Sequence, residues 1–237
     1  MTRRFRRTAG AVAAGIKSGP ETDPFFAQTV LLCHADGSNG AISFSDSSSY
    51  HRSVFRGGAA VCSTAQVKFG TTSAAFAVAT SDYLYAATAP EFEFGTGDYT
   101  VECYFYANAV ALACLIGHRN DLTGDGWEMF LSAAGEVYVQ GTGSFAISAA
   151  STYTANAWHH LAICRASGTT RVFLDGNIVA SGTVSIGSSI ALPIYIGRRD
   201  DTGLPRYFDG FIDDIRVTAA ARYTAAFTPR TSAFPNS

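Results

Sequence analysis

Two segments carry the side chains best suited to hold a ligand. Residues 117–127 include Arg119, Asn120, Asp121, Asp125 and Trp127, and residues 198–206 include Arg198, Arg199, Asp200 and Asp201. Polar groups beside an exposed aromatic suit sugar recognition, because the ring takes an apolar sugar face while charged groups take the hydroxyls. The same composition suits a solvated loop edge or a protein contact. Arg119, Asp125, Trp127, Arg198, Arg199 and Asp200 are thus the candidate ligand-binding residues.

Catalytic constellations are missing. Glycosidic cleavage uses two carboxyl groups flanking the bond, and the nearest approach is Glu91-Phe92-Glu93, in a Pro-led stretch before Gly95 with no third acid in register. There is no Gly-x-Ser-x-Gly elbow and no glycine loop with lysine to cradle phosphate. His159 and His160 are adjacent on an expected strand and point to opposite sides. His51 and His118 have no ligand spacing near them and read as satisfied surface or loop residues. The expectation is binding without catalysis, although catalytic residues dispersed along the chain would escape this test.

The five cysteines are odd in number and show no Cys-x-x-Cys spacing, which argues against zinc. Cys103 alternates in step with Val101 and Phe105 and reads as a small core hydrophobe. Cys62 and Cys114 fall near expected strand ends and are the candidates for an intersubunit disulfide.

The elements that must position these groups are strands. Hydrophobic residues make up 47% of the chain and charged residues 15%, enough apolar material for a large core. A net charge of -2 excludes general nucleic-acid binding, and no apolar run is long enough for membrane insertion. Short β-rich runs separated by Gly, Asn, Asp and Ser predict strands over 30–34, 99–106, 112–118, 127–131, 136–140, 160–165, 171–174, 177–183, 194–197 and 208–217. Alternation over 99–106 puts Tyr99, Val101, Cys103 and Phe105 in the core and Thr100, Glu102, Tyr104 and Tyr106 on a partly solvated face. Asp175-Gly176 is a hairpin signal. Residues 219–224 suggest a single helical turn, followed by an extended tail past Pro229 and Pro235. The same alternation places Asp213 with Phe211, Ile215 and Val217, where a carboxylate needs a cation or hydrogen-bond donors.

Residues 1–24 stand apart. Arg3, Arg4, Arg6 and Arg7 precede a run broken by Gly10, Gly15, Gly19 and Pro20, which fits a flexible basic anchoring arm better than a secretory signal. Residues 25–237 form the expected single domain, a two-sheet antiparallel sandwich.

Four stretches together resemble the concanavalin A-like/laminin-G (pentraxin-like) family. They are Phe94-Gly95-Thr96-Gly97-Asp98-Tyr99-Thr100-Val101-Glu102, Trp158-His159-His160-Leu161-Ala162, Val172-Phe173-Leu174-Asp175-Gly176-Asn177, and Phe208-Asp209-Gly210-Phe211-Ile212-Asp213-Asp214-Ile215-Arg216-Val217. The resemblance implies an all-β jelly-roll sandwich. Its opening at Val30-Leu31-Leu32-Cys33-His34-Ala35-Asp36-Gly37-Ser38-Asn39-Gly40 and its close at Ala221-Arg222-Tyr223-Thr224-Ala225-Ala226-Phe227-Thr228-Pro229 are similar to the variety in tailed-bacteriophage structural proteins. That likeness implies a virion component, assembled in the host cytoplasm and displayed on the particle surface as decoration, collar or tail-fibre-associated protein. Its expected partners are other virion proteins through the arm, further copies of itself, and a host-surface glycan. The glycosidases of this fold carry a Glu-x-Asp-x-Glu or Glu-x-Asp-x-x-Glu strand, which this sequence lacks. Related sandwiches often hold a structural calcium ion between the first and last strands, where Asp36 and Asp213 stand in comparable places.

Overall fold

The structure is a computed structural model that describes residues 21–120, 122–187, 192–199 and 206–237. Arg3, Arg4, Arg6, Arg7, Asp121, Asp200 and Asp201 lie outside the described residues. The first half of the chain forms β1 (Thr29–Cys33), β2 (Phe44–Ser45), β3 (Ser53–Gly57), β4 (Val61–Ser63), β5 (Ser73–Phe76), β6 (Tyr83–Ala86), β7 (Tyr99–Ala107) and β8 (Ala113–Arg119). The second half forms β9 (Gly126–Leu131), β10 (Val137–Gln140), β11 (Phe145–Ile147), β12 (Trp158–Ala166), β13 (Thr169–Leu174), β14 (Asn177–Gly182), β15 (Ile194–Ile196) and β16 (Gly210–Thr218). Helical backbone among the described residues is confined to three-residue 3-10 turns.

These strands make two antiparallel sheets. The first runs β14-β13-β12-β7-β16-β5-β4, with β1 added beside the last half of β16, and the second runs β11-β10-β9-β8-β15-β6-β3-β2. Tyr99, Val101, Cys103 and Phe105 face the core between them, as the alternation of β7 predicts. Trp127 and Met129 meet this layer from β9 in the facing sheet.

On the other face of β7, Thr100, Glu102 and Tyr104 are buried and Tyr106 is half-buried. Residues 219–237 form no helical turn; they run back across the outer face of the first sheet as a strap. Tyr223 and Phe227 stack on each other at 3.7 Å and cover Phe173. Phe234 packs on Tyr104 and His160. The strap is seated on the β13–β14 hairpin, where Asp175 and Gly176 both have positive φ, as a type I′ turn demands. A Cβ on Gly176 would lie 1.8 Å from the Phe227 carbonyl oxygen, and the Phe227 N–H bonds Gly176 O at 2.9 Å.

Because the strap removes water, the polar residues beneath it are paired with one another. Glu102 is fully buried and accepts from Arg216 Nε at 2.9 Å, Tyr223 Oη at 2.9 Å and His160 Nε2 at 3.1 Å. Burial alone would raise its pKa; the guanidinium of Arg216 and the His160 bond outweigh that and hold it well below the usual carboxylate range. Asp23, which the sequence assigns to the arm, is buried and bonds Arg216 at 3.0 Å and Arg222 at 2.8 Å. Its backbone N–H donates to Ser237 O at 2.6 Å, so both ends of the described chain meet on this sheet.

One irregularity re-aims a key residue. Asp213 pairs with Tyr104 and Arg216 with Glu102, so Asp214 and Ile215 together oppose Cys103. Asp214 takes φ 49°, the left-handed conformation of a β-bulge. The extra residue breaks the period of two: Ile212, Ile215 and Val217 enter the core, while Asp213 and Arg216 point outward. Asp213 therefore does not share a face with Ile215 and Val217.

Candidate functional site

While the first sheet is covered, the second presents a cross-strand row on its outer face. Cα partners run Phe55 to Tyr85, Tyr85 to Tyr195, Tyr195 to Gly117, Gly117 to Glu128, Glu128 to Gln140, and Gln140 to Phe145. The row crosses seven strands, from β3 to β11, a span of roughly 29 Å at the usual strand spacing. Its members lie on the outer side because their neighbours Leu84, Ile196, Ile116, Trp127, Val139 and Ala146 fill the core; Phe55 and Phe145 at the two ends are exposed, Tyr85, Tyr195 and Gln140 are half-buried, and Gly117 and Glu128 are buried.

Aromatic rings occupy one end. Phe55 stacks on Tyr85 at 5.2 Å, and Tyr83, one alternation along β6, lies 5.9 Å from Tyr195. Arg198 caps them, its Cζ 4.5 Å from the ring centroids of both Tyr83 and Tyr195. In mid-row Gly117 leaves room for its neighbour, since a Cβ there would lie 3.2 Å from Glu128 Cγ. Glu128 is met by Arg119 Nη1 at 3.5 Å and by Arg199 Nε at 3.4 Å. Arg199 also lies over Phe130, which stacks on Tyr138 at 5.2 Å. Burial pushes the Tyr138 hydroxyl up to about 12, so it remains a donor.

Three of the sequence candidates, Arg119, Arg198 and Arg199, thus converge on this face. Trp127 does not: it is 1% exposed, stacks on Phe94 at 5.7 Å, and bonds Phe92 O at 3.3 Å through Nε1. Alternation in β9 sends Trp127 and Met129 inward and Glu128 outward. Asp125 accepts from Thr142 Oγ1 at 3.3 Å and braces its own loop. Asp200 lies outside the described residues. Glu128 was legible through that same alternation, but Tyr83, Tyr85, Phe55 and Phe145 stand on strands too short to signal themselves.

The remaining candidates are accounted for locally. Glu91 pairs with Arg52 at 2.8 Å and Glu93 with His118 at 2.8 Å, so the two acids are drawn to different partners. His118 is a buried residue of β8 and not a surface histidine. His159 and His160 do point apart, to Asp175 and Glu102. Asp36 Oδ1 accepts N–H groups from Thr71 and Thr72 at 2.6 and 3.4 Å. Asp213 Oδ2 accepts from Lys68 and Phe69 at 3.0 and 3.1 Å. Both carboxylates thereby organise one loop, and among the described residues no group of three or more His, Cys, Asp or Glu could hold a metal. Cys62 in β4 and Cys114 near the start of β8 stand close to strand ends, as expected, and both thiols are buried.

The family model for the concanavalin A-like lectin/glucanases superfamily matches residues 78–225. The chain belongs to this superfamily. No curated protein matches it. Among solved structures, the superfamily sandwich superposes on the receptor-binding domain of botulinum neurotoxin D with a TM-score of 0.61 at 13% identity, covering 84% of this chain and 51% of that one. The binding domain of Paraclostridial Mosquitocidal Protein 1 gives 0.61 at 12%, covering 84% and 50%. The binding domain of botulinum neurotoxin DC in complex with SialylT gives 0.59 at 9%, covering 84% and 50%. The chain spans about half the length of these neighbours, and at such identities the likeness is one of fold.

Proposed function

We propose that this lectin-like domain is an adhesion module that binds a glycan along the cross-strand row of the second sheet. The row itself carries the reading: it sets four aromatic rings, a glycine gap, a carboxylate and an amide in one line across the strands. Rings can stack on the C–H faces of sugars, while Gln140 and the guanidiniums of Arg198 and Arg199 serve hydroxyls. The neurotoxin DC neighbour in complex with SialylT lends support, although this chain corresponds to only half of that domain.

Binding is favoured over cleavage because hydrolysis needs two carboxyl groups about 5–9.5 Å apart. Glu128 is the carboxylate of the row, and it is committed to Arg119 and Arg199. A glycan array should therefore give hits, with no reducing ends released from bacterial polysaccharide. Tyr195→Ala and Phe55→Ala should each weaken binding at least tenfold and leave the fold intact by circular dichroism. Undiminished binding in both variants would sink the proposal.

The finer reading, a virion component fastened by its arm, is supported by motif likeness to phage structural proteins. It is also supported by Asp23 and Ser237 meeting on the sheet opposite the row, which would leave the row facing away from an anchor.

A further inference from the structure

A second concavity lies under the strap, on the opposite sheet from the row. It has a volume of about 240 Å³, and its lining includes His160, Arg216, Arg222, Arg230, Tyr223 and Phe227. His160 is 2% exposed. Its Nε2 faces Glu102 Oε2 at 3.1 Å, and a carboxylate only accepts, so that nitrogen carries a proton and donates. In the neutral ring Nδ1 then presents a lone pair, and it has no partner. Arg222 Nη1 and Arg230 Nε are buried N–H donors, likewise without acceptors, and Arg222 Nε has only a 3.4 Å ion-pair contact to Glu102 Oε1.

These are surplus hydrogen-bonding groups and not unbalanced charges. Arg216 and Arg222 already share Asp23 and Glu102, and Arg230 pairs with Glu21 at 2.7 Å. One acceptor and two donors are nevertheless left unpaired around one small cavity, a costly arrangement unless something fills it. We propose that the cavity is a site for a small hydroxylated oxyanion, such as hydrogen phosphate or an α-hydroxy carboxylate. Its anionic oxygens accept from Arg222 Nη1 and Arg230 Nε, and its hydroxyl donates to His160 Nδ1. A plain carboxylate satisfies the arginines but leaves His160 unpaired. A volume of about 240 Å³, roughly eight water molecules, admits a small organic or inorganic anion with some ordered water and is too small for a sugar chain, which separates this site from the row.

The test uses the full chain, with inorganic phosphate, glycolate and acetate added at constant ionic strength against chloride. Titration calorimetry and the thermal midpoint should show saturable, one-to-one binding of phosphate and glycolate, with acetate at least tenfold weaker. Arg230→Gln should reduce phosphate affinity at least tenfold. Glu21→Gln breaks the same surface ion pair but keeps the donor, and should retain binding. Tyr195→Ala, on the opposite sheet, should also retain it. The proposal is overturned by the absence of a saturable response, by equal responses to all anions (an adventitious ion only), or by equal losses in Arg230→Gln and Glu21→Gln.

Discussion

Asp213 is the residue whose surroundings most nearly defeat its charge. It is 1% exposed, and its Oδ1 has no partner, while Oδ2 rests on two backbone N–H groups. Burial pushes its carboxyl up to about 7, against these two bonds. Since the folded value lies above the ordinary 3.8, its contribution to stability is fully present below that value and is lost as pH rises through about 7. Asp213→Asn keeps an acceptor for Lys68 and Phe69 and removes the charge. The variant should gain stability relative to wild type between pH 4 and pH 8, by about 2–4 kcal/mol in urea unfolding. A difference that stays constant with pH would refute this. The sequence marked Asp213 as costly but gave it the wrong neighbours, because a period of two does not foresee the bulge at Asp214.

At the scale of elements, the strap decides what the first sheet can be. Phe234 is 3% exposed and covers the Arg216 guanidinium, whose Cζ stands 3.5 Å from the ring centroid. Removing that ring leaves a cavity over a buried charge cluster. Phe234→Ala should cost about 3–5 kcal/mol in urea denaturation, and a loss under 1 kcal/mol would show the strap to be dispensable. Long strands were legible where alternation lasted: β7, β9 and β12 match their expected runs within a few residues. The strands β2 to β6 were not, because two to five residues rich in Ser, Ala and Gly display too little periodicity. The row was hidden for the same reason. It is a property of register between strands, and Phe55, Tyr85 and Tyr195 are each separated by tens of residues in the chain.

The whole molecule has two unlike sides. One sheet is sealed by the strap and by residues around Asp23, and the other presents the row. An anchor ahead of Glu21 would thus hold the sealed side toward its support. Deleting residues 1–20 should leave the thermal midpoint unchanged while preventing incorporation into a particle. Normal incorporation of that truncated chain would end the virion reading.

The Asp23 N–H donates to Ser237 O, which brings the two limits of the folded unit together. A segment whose two limits touch, as residues 23 and 237 do, is nearly a closed ring. Such a unit can be spliced into a surface turn of a larger host protein with a linker of a few residues, and its order can be cut and rejoined. New ends opened at the exposed turn around Gly143, with 23 and 237 fused, should yield a permuted chain that folds to the same sandwich.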